Sequence, residues 1–240
     1  MSGLPHEWII LGSGTVGRQV LATLEVHAQQ RGEVVLGFLD DDASRVGQVV
    51  KGLPILGTPE AWLAAHGRPV QMAMALGDPK VRRQAVARIK ALDAGVTFPP
   101  IINPFSCVGS GVRLGEGVLL QGGVVCQCDL EVGAFTILGS CCSLAHDCVV
   151  GEYSWLSPGT RMAGYASIGD ECWVGMSTLI LPHKRINDRA ETGAGSVITH
   201  DVPVGETVAG VPARPTRLLR AERDAKIGGL ATASDVTPPL

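Results

Sequence analysis

Six histidines, seven cysteines, a glycine cluster and a run of aspartates carry most of the chemical potential of this 240-residue chain. A neutral imidazole is the natural proton acceptor near pH 7, because its unperturbed pKa is about 6.5. The candidates are His6, His27, His66, His146, His183 and His200. His6, His146 and His200 are each followed directly by an acid, but His6 belongs to the front part and His200 to the end of the array, whereas His146 lies in mid-array in Leu144-Ala145-His146-Asp147-Cys148-Val149. An adjacent carboxylate can fix the imidazole tautomer and raise its basicity. On its own the His146–Asp147 pair leaves two readings open, a catalytic base and an ordinary surface histidine.

A second cluster is Gly12-Ser13-Gly14-Thr15-Val16-Gly17, which follows the apolar run Trp8–Leu11 and precedes Asp40-Asp41-Asp42. Glycines at this spacing let backbone N–H groups approach a phosphate at a helix N-terminus, and an acid can hold a ribose or base. A tight strand-to-helix turn, a dinucleotide site and a site for a ligand with one nucleotide all remain open. The last fits best, because a dinucleotide normally needs two mononucleotide halves and only one is present. The cysteines contain no CxxC pair, and their odd number without a secretion signal suits reduced thiols in the cytosol. Metal binding and thiol nucleophilicity are both disfavoured, since Cys126, Cys142, Cys148 and Cys172 fall at interior repeat positions where a thiol pKa would rise.

That repeat sets the frame for the chemistry. Stepping by six from Val108 through Leu114, Leu120, Cys126, Val132 and onward to Val204 gives seventeen positions, of which only Thr192 is not apolar. The next residue is often glycine, as at Gly109, Gly115, Gly133, Gly151 and Gly175. A period of six is neither helical nor that of an ordinary amphipathic strand; it fits a three-sided solenoid with one hexapeptide per side. The large aliphatic is expected to point inward and the glycine to turn the corner. Every eighteenth residue, from Leu114 through Val132 and Val150 to Val204, forms one ladder. His146, two places after an inward leucine, then stands near a corner, facing out.

Residues 8–98 read as β-α-β-α-β-α, with strands at Trp8–Leu11, Val34–Leu39 and Val70–Leu76 and helices after Gly14, at Pro59–Ala65 and at Pro79–Leu92. This predicts a small parallel sheet covered by helices. His6, His27 and His66 are expected to lie there, away from the coils. The domain plan is therefore 1–100, 101–214 and 215–240, the last a short helix with a disordered tail. A net charge of −3 gives no basic surplus for nucleic acid. No apolar stretch approaches a membrane span, and the N-terminus does not read as a signal peptide.

Residues 103–214 resemble the hexapeptide-repeat acyltransferases, including the closing Ala209-Gly210-Val211-Pro212-Ala213-Arg214. That resemblance implies a left-handed parallel β-helix and a homotrimer. Together with the glycine turn, Phe38-Leu39-Asp40-Asp41 and Leu76-Gly77-Asp78 with Arg82, it extends to the sugar acetyltransferases that act on sialic acid oxygens or on nucleotide-linked amino sugars. The resemblance implies acetyl-CoA as co-substrate, with a UDP- or GDP-linked sugar held by Gly12, Ser13, Gly14, Asp40 and Asp41. It makes His146 the base, Asp147 its orienter and Gly164 an oxyanion donor, with Trp155, Gly164, Met176 and Ala194 along the coenzyme A groove. The family often has His where this chain has Val16, and a polar residue or His where it has Trp155. Two rivals stay beside the N-acetyltransferase: a sugar O-acetyltransferase and a non-catalytic protein that binds sugar nucleotides. No metal is expected, and the compartment implied is the cytoplasm.

Overall fold

The computed structural model describes residues 7–92 and 94–218. The front part runs β1 (Glu7–Leu11), α1 (Thr15–Arg31), β2 (Val34–Leu39), β3 (Val49–Val50), β4 (Leu53–Gly57), α2 (Pro59–His66), β5 (Val70–Met74), α3 (Pro79–Ala91) and β6 (Val96–Thr97). Its sheet has the order β3-β4-β2-β1-β5-β6, parallel except for the β3–β4 hairpin. β1 is central, which explains its unbroken apolar run: a strand covered on both faces has no solvent side to make polar. The hairpin was not expected from sequence. Its turn, Lys51-Gly52, has φ of 50° and 83°, the left-handed pair that a two-residue hairpin requires.

From Ile101 the chain winds into a left-handed parallel β-helix of three sheets. Two-residue strands pair with their equivalents eighteen residues on, as in Leu119 with Ile137, Ile137 with Trp155, and Trp155 with Trp173. The inward ladder is buried from Leu120 to Ile198, including Thr192. Its predicted ends differ. Val108 is exposed at the open first coil, and Val204 is exposed because the last coil is two residues short. Val202 bridges Ile186 and Val208 pairs with Thr192, so these valines, both buried, continue the interior.

The corners also differ from expectation. The left-handed residue is the third after each inward aliphatic, and Asp129, Phe135, Cys141, Asp147, Tyr153 and Tyr165 hold φ between 50° and 62° there. The glycines immediately after the aliphatics serve a different need. A Cβ on Gly133 would come within 2.5 Å of the Gly151 carbonyl carbon, and one on Gly175 within 2.5 Å of the Thr192 oxygen. They let successive coils stack closely rather than turn the chain.

The two parts share a core: Ile101, Leu119, Ile137 and Trp155 of the β-helix pack with Trp8, Val20 and Leu24 of the front part. α3 docks on a corner column, Phe98–Phe135–Tyr153, whose rings follow at 5.2 Å each. Lys90 pairs with Glu116 at 2.6 Å, and Arg83 lies 4.5 Å over Tyr153. His27 is not clear of the coils, since its Nδ1 lies 3.1 Å from the Ile102 carbonyl oxygen. The chain is helical at 216–218; the remainder of the predicted 215–240 helix and tail lies outside the described residues.

Candidate active site

The corner after Leu144 builds the first half of the site. Leu144 is buried in the prism, and Asp147 turns the corner with φ 57°, a region an aspartate tolerates better than most side chains. The His146 ring therefore stands on the outer surface, and its Nδ1 lies 2.8 Å from Asp147 Oδ2. An ionised carboxylate can only accept, so the contact favours the tautomer with its proton on Nδ1, and the neutral ring in that form offers the Nε2 lone pair. Side-chain exposures of 49% and 43% leave this pair accessible to a substrate.

Gly164 lies one coil further on, directly beneath the ring. A Cβ built there would fall 2.6 Å from His146 Cε1 and 2.7 Å from Nε2, so the imidazole occupies the space that any other side chain would fill. Among the described residues, the Gly164 N–H finds no acceptor within the chain. Tyr165 meets His146 edge to face at 5.3 Å and stacks flat on His183 at 4.9 Å. Sequence reasoning missed Tyr165; the signal was its eighteen-residue offset from Asp147, which puts it on the same corner.

The other expected coenzyme residues lie elsewhere on the prism. Met176 and Ala194 follow one another on the neighbouring corner, where Gly195 N donates to Met176 O at 2.7 Å. The face carrying Arg161 and Leu179 separates that corner from His146. Trp155 sits on a third surface: 9% exposed, it stacks on Trp173 at 5.4 Å and faces Gly77. Within one chain, only Gly164 of this group is brought to the histidine.

The second half is a cleft of about 350 Å³ in the front part, lined by Gly12, Ser13, Gly14, Asp40, Asp41 and Gly77 among others. Gly12 adopts φ 104°, and a Cβ there would meet the Ala75 carbonyl at 2.9 Å. Gly14 caps α1 without a side-chain bond, so the helix's first N–H groups and its positive end face the cleft unsatisfied by a cap. Asp40 braces this loop. Its Oδ2 accepts from the Ser13 N–H at 3.0 Å, from Ser13 Oγ and from Arg45 at 3.0 Å, while Oδ1 accepts from the Asp42 N–H at 3.1 Å. Burial pushes its pKa up, but the bonds from Ser13 and Asp42 and the Arg45 charge outweigh it, holding the carboxyl below its usual range. Asp41 is exposed and paired with Arg88 at 2.5 Å.

A glycine-loop cleft joined to a hexapeptide prism with an outward His–Asp pair defines a sugar acyltransferase of the β-helix class. Residues 7–89 match the family described as the PglD N-terminal domain. The chain is 30% identical over 158 residues to the GDP-perosamine N-acetyltransferase of Escherichia coli O157:H7, covering 65% of this chain and 69% of that one. Among solved structures it is similar to the perosamine N-acetyltransferase of Caulobacter crescentus in complex with CoA and GDP-perosamine. In one such structure, of a variant, identity is 28%, the TM-score is 0.80, and 90% of this chain and 99% of that chain are covered. The acetyltransferase domain of PglB from Neisseria gonorrhoeae FA1090 gives 29%, a TM-score of 0.79, and 88% and 99% coverage. The chain belongs to the family of nucleotide-amino-sugar N-acetyltransferases.

Proposed function

We propose that the protein transfers the acetyl group of acetyl-CoA to the amino group of a UDP- or GDP-linked deoxyamino sugar, for use in surface glycan synthesis. The observation that carries the mechanism is the His146 imidazole, tied through Nδ1 to Asp147 and seated on Gly164. The sugar nucleotide rests its diphosphate on the Gly12–Gly14 loop, with the exposed Asp41 exchanging Arg88 for the nucleoside while Asp40 keeps the loop in shape. Nε2 of His146 takes a proton from the acceptor nitrogen as that nitrogen attacks the thioester carbonyl carbon. The Gly164 N–H donates to the oxyanion that develops. Collapse of the tetrahedral intermediate breaks the C–S bond, and the imidazolium returns its proton to the departing CoA sulfur.

We assign residues 1–100 to the sugar nucleotide and 101–214 to acyl transfer. Met176 and Ala194 lie on a different corner from His146, so we place them along coenzyme A bound to the next subunit's histidine, in a homotrimer. Trp155, buried against Trp173 and Gly77, suits the wall between the two ligands better than an open coenzyme face. Seven free thiols suit work in the cytoplasm.

The test is release of free thiol from acetyl-CoA in the presence of UDP- and GDP-linked amino sugars, starting with GDP-perosamine, with the product weighed by mass spectrometry. His146→Ala should lower turnover by about a hundredfold or more, the usual range for a lost general base, with acetyl-CoA binding retained. Acetylation of a sugar hydroxyl alone would turn the assignment to O-transfer. Near-normal turnover by the variant would remove His146 from the chemistry.

A further inference from the structure

Arg82 is fully buried and forms no ion pair among the described residues, yet every face of its guanidinium is used. Nε donates to the Phe135 carbonyl at 2.9 Å. Nη1 donates to Leu76 and Gly77 carbonyls at 2.6 and 2.9 Å, and Nη2 to those of Tyr153 and Ser154 at 2.5 and 3.3 Å. Burial pulls its pKa down to about 10, against the opposing pull of Asp78 and Tyr153, so it stays charged at neutral pH.

A buried cation with no carboxylate in direct contact is a costly way to glue two surfaces, and apolar side chains already do so nearby at Ile101, Leu119 and Ile137. The guanidinium does what those cannot. Its rigid fork reaches three separate stretches of backbone at once, which a lysine's point charge would not. Leu76 and Gly77 form a wall of the nucleotide cleft. Phe135 and Tyr153 are equivalent positions on successive coils, and the turn of chain between them is the one that carries His146.

We infer that Arg82 is a positioning residue that locks the cleft wall to the prism of its own chain, and so sets where a bound sugar nucleotide stands for acyl transfer. The inference rests on the functional reading above. In the full-length protein, Arg82→Lys should lower kcat on the nucleotide-linked amino sugar by about a hundredfold, the cost of roughly an ångström of misplacement. Its affinity and stoichiometry for the matching nucleoside diphosphate, read by calorimetry, and its KM for acetyl-CoA should stay near wild type. Unchanged kcat, or a loss of binding stoichiometry in step with kcat, would overturn the inference, the latter meaning Arg82 only keeps the protein folded.

A second measurement needs no variant and no turnover. Adding GDP or UDP to the wild-type protein should slow hydrogen–deuterium exchange at 75–78 and also at 153–155, the segments joined by Arg82. Protection that stops at the front part would overturn the clamp. Absence of thiol release with every amino sugar would instead overturn the functional reading, and would leave this exchange result to decide on Arg82.

Discussion

At the scale of single residues, the site depends on a missing side chain as much as on a present one. Gly164 does not hold a left-handed φ, so an alanine there meets no backbone objection. Its methyl would instead collide with the His146 ring, whose Cε1 and Nε2 lie within 2.7 Å of where it must go. Gly164→Ala should therefore fold normally, with an unchanged melting temperature, while kcat falls by about a hundredfold as the base is pushed aside. A variant with full activity would mean that the ring works from another position. The His146–Asp147 pair was legible in the sequence because a base and its orienter were neighbours in the chain. Tyr165, with His183 stacked on its far side, was not, because its contact with the pair depends on vertical stacking of corners, which the pattern of inward aliphatics does not display.

At the scale of elements, the glycine loop was legible as a loop, but the work of its acid was not. Sequence position suggested that Asp40 waits for a ligand; the structure shows both its oxygens bonded to Ser13, Asp42 and Arg45. Spacing reports that an acid is near the loop and says nothing about which of its lone pairs are already taken. Because the folded pKa is lowered, the stabilisation it gives is complete above the ordinary value of 3.8 and is lost only as pH falls through the still lower folded value. Affinity for a nucleoside diphosphate should thus show no change from Asp40 between pH 8 and pH 5. Asp40→Ala should weaken it about tenfold across that whole range, the worth of one charge-assisted hydrogen bond. Calorimetry at three pH values checks both statements, and a loss centred near pH 5 would show that the brace is weaker than the bond network implies.

At the scale of the whole molecule, period six made the prism readable, and the same rule failed where the coil shortened. Nothing in the apolar pattern marks that Val204 leaves the interior and Val202 enters it, because both are valines and only the local pairing decides. The shared core was equally hidden: Leu119, Ile137 and Trp155 point outward from the prism, where a solenoid read alone expects solvent, and are buried only because the front part sits on them.

The prism interior makes one further demand, on pH. Four thiols, Cys126, Cys142, Cys148 and Cys172, are fully buried among aliphatics. Desolvation pushes Cys142 up to about 12 and the other three up to about 11, against 9.0 for a free thiol. Above pH 9 the unfolded chain releases these protons while the folded chain keeps them, so the unfolded state gains and stability falls with rising pH. Each group contributes a slope approaching about 1.4 kcal/mol per pH unit until its folded pKa is reached. Denaturant midpoints should accordingly hold steady from pH 7 to 8.5 and drop steeply between pH 9 and 11. Replacing Cys148 and Cys172 with alanine should make that alkaline slope shallower even though the cavities lower stability at pH 7. An unchanged slope would mean that the thiolates find solvent or a partner inside the column, and that the prism opens far more readily than its closely stacked coils allow.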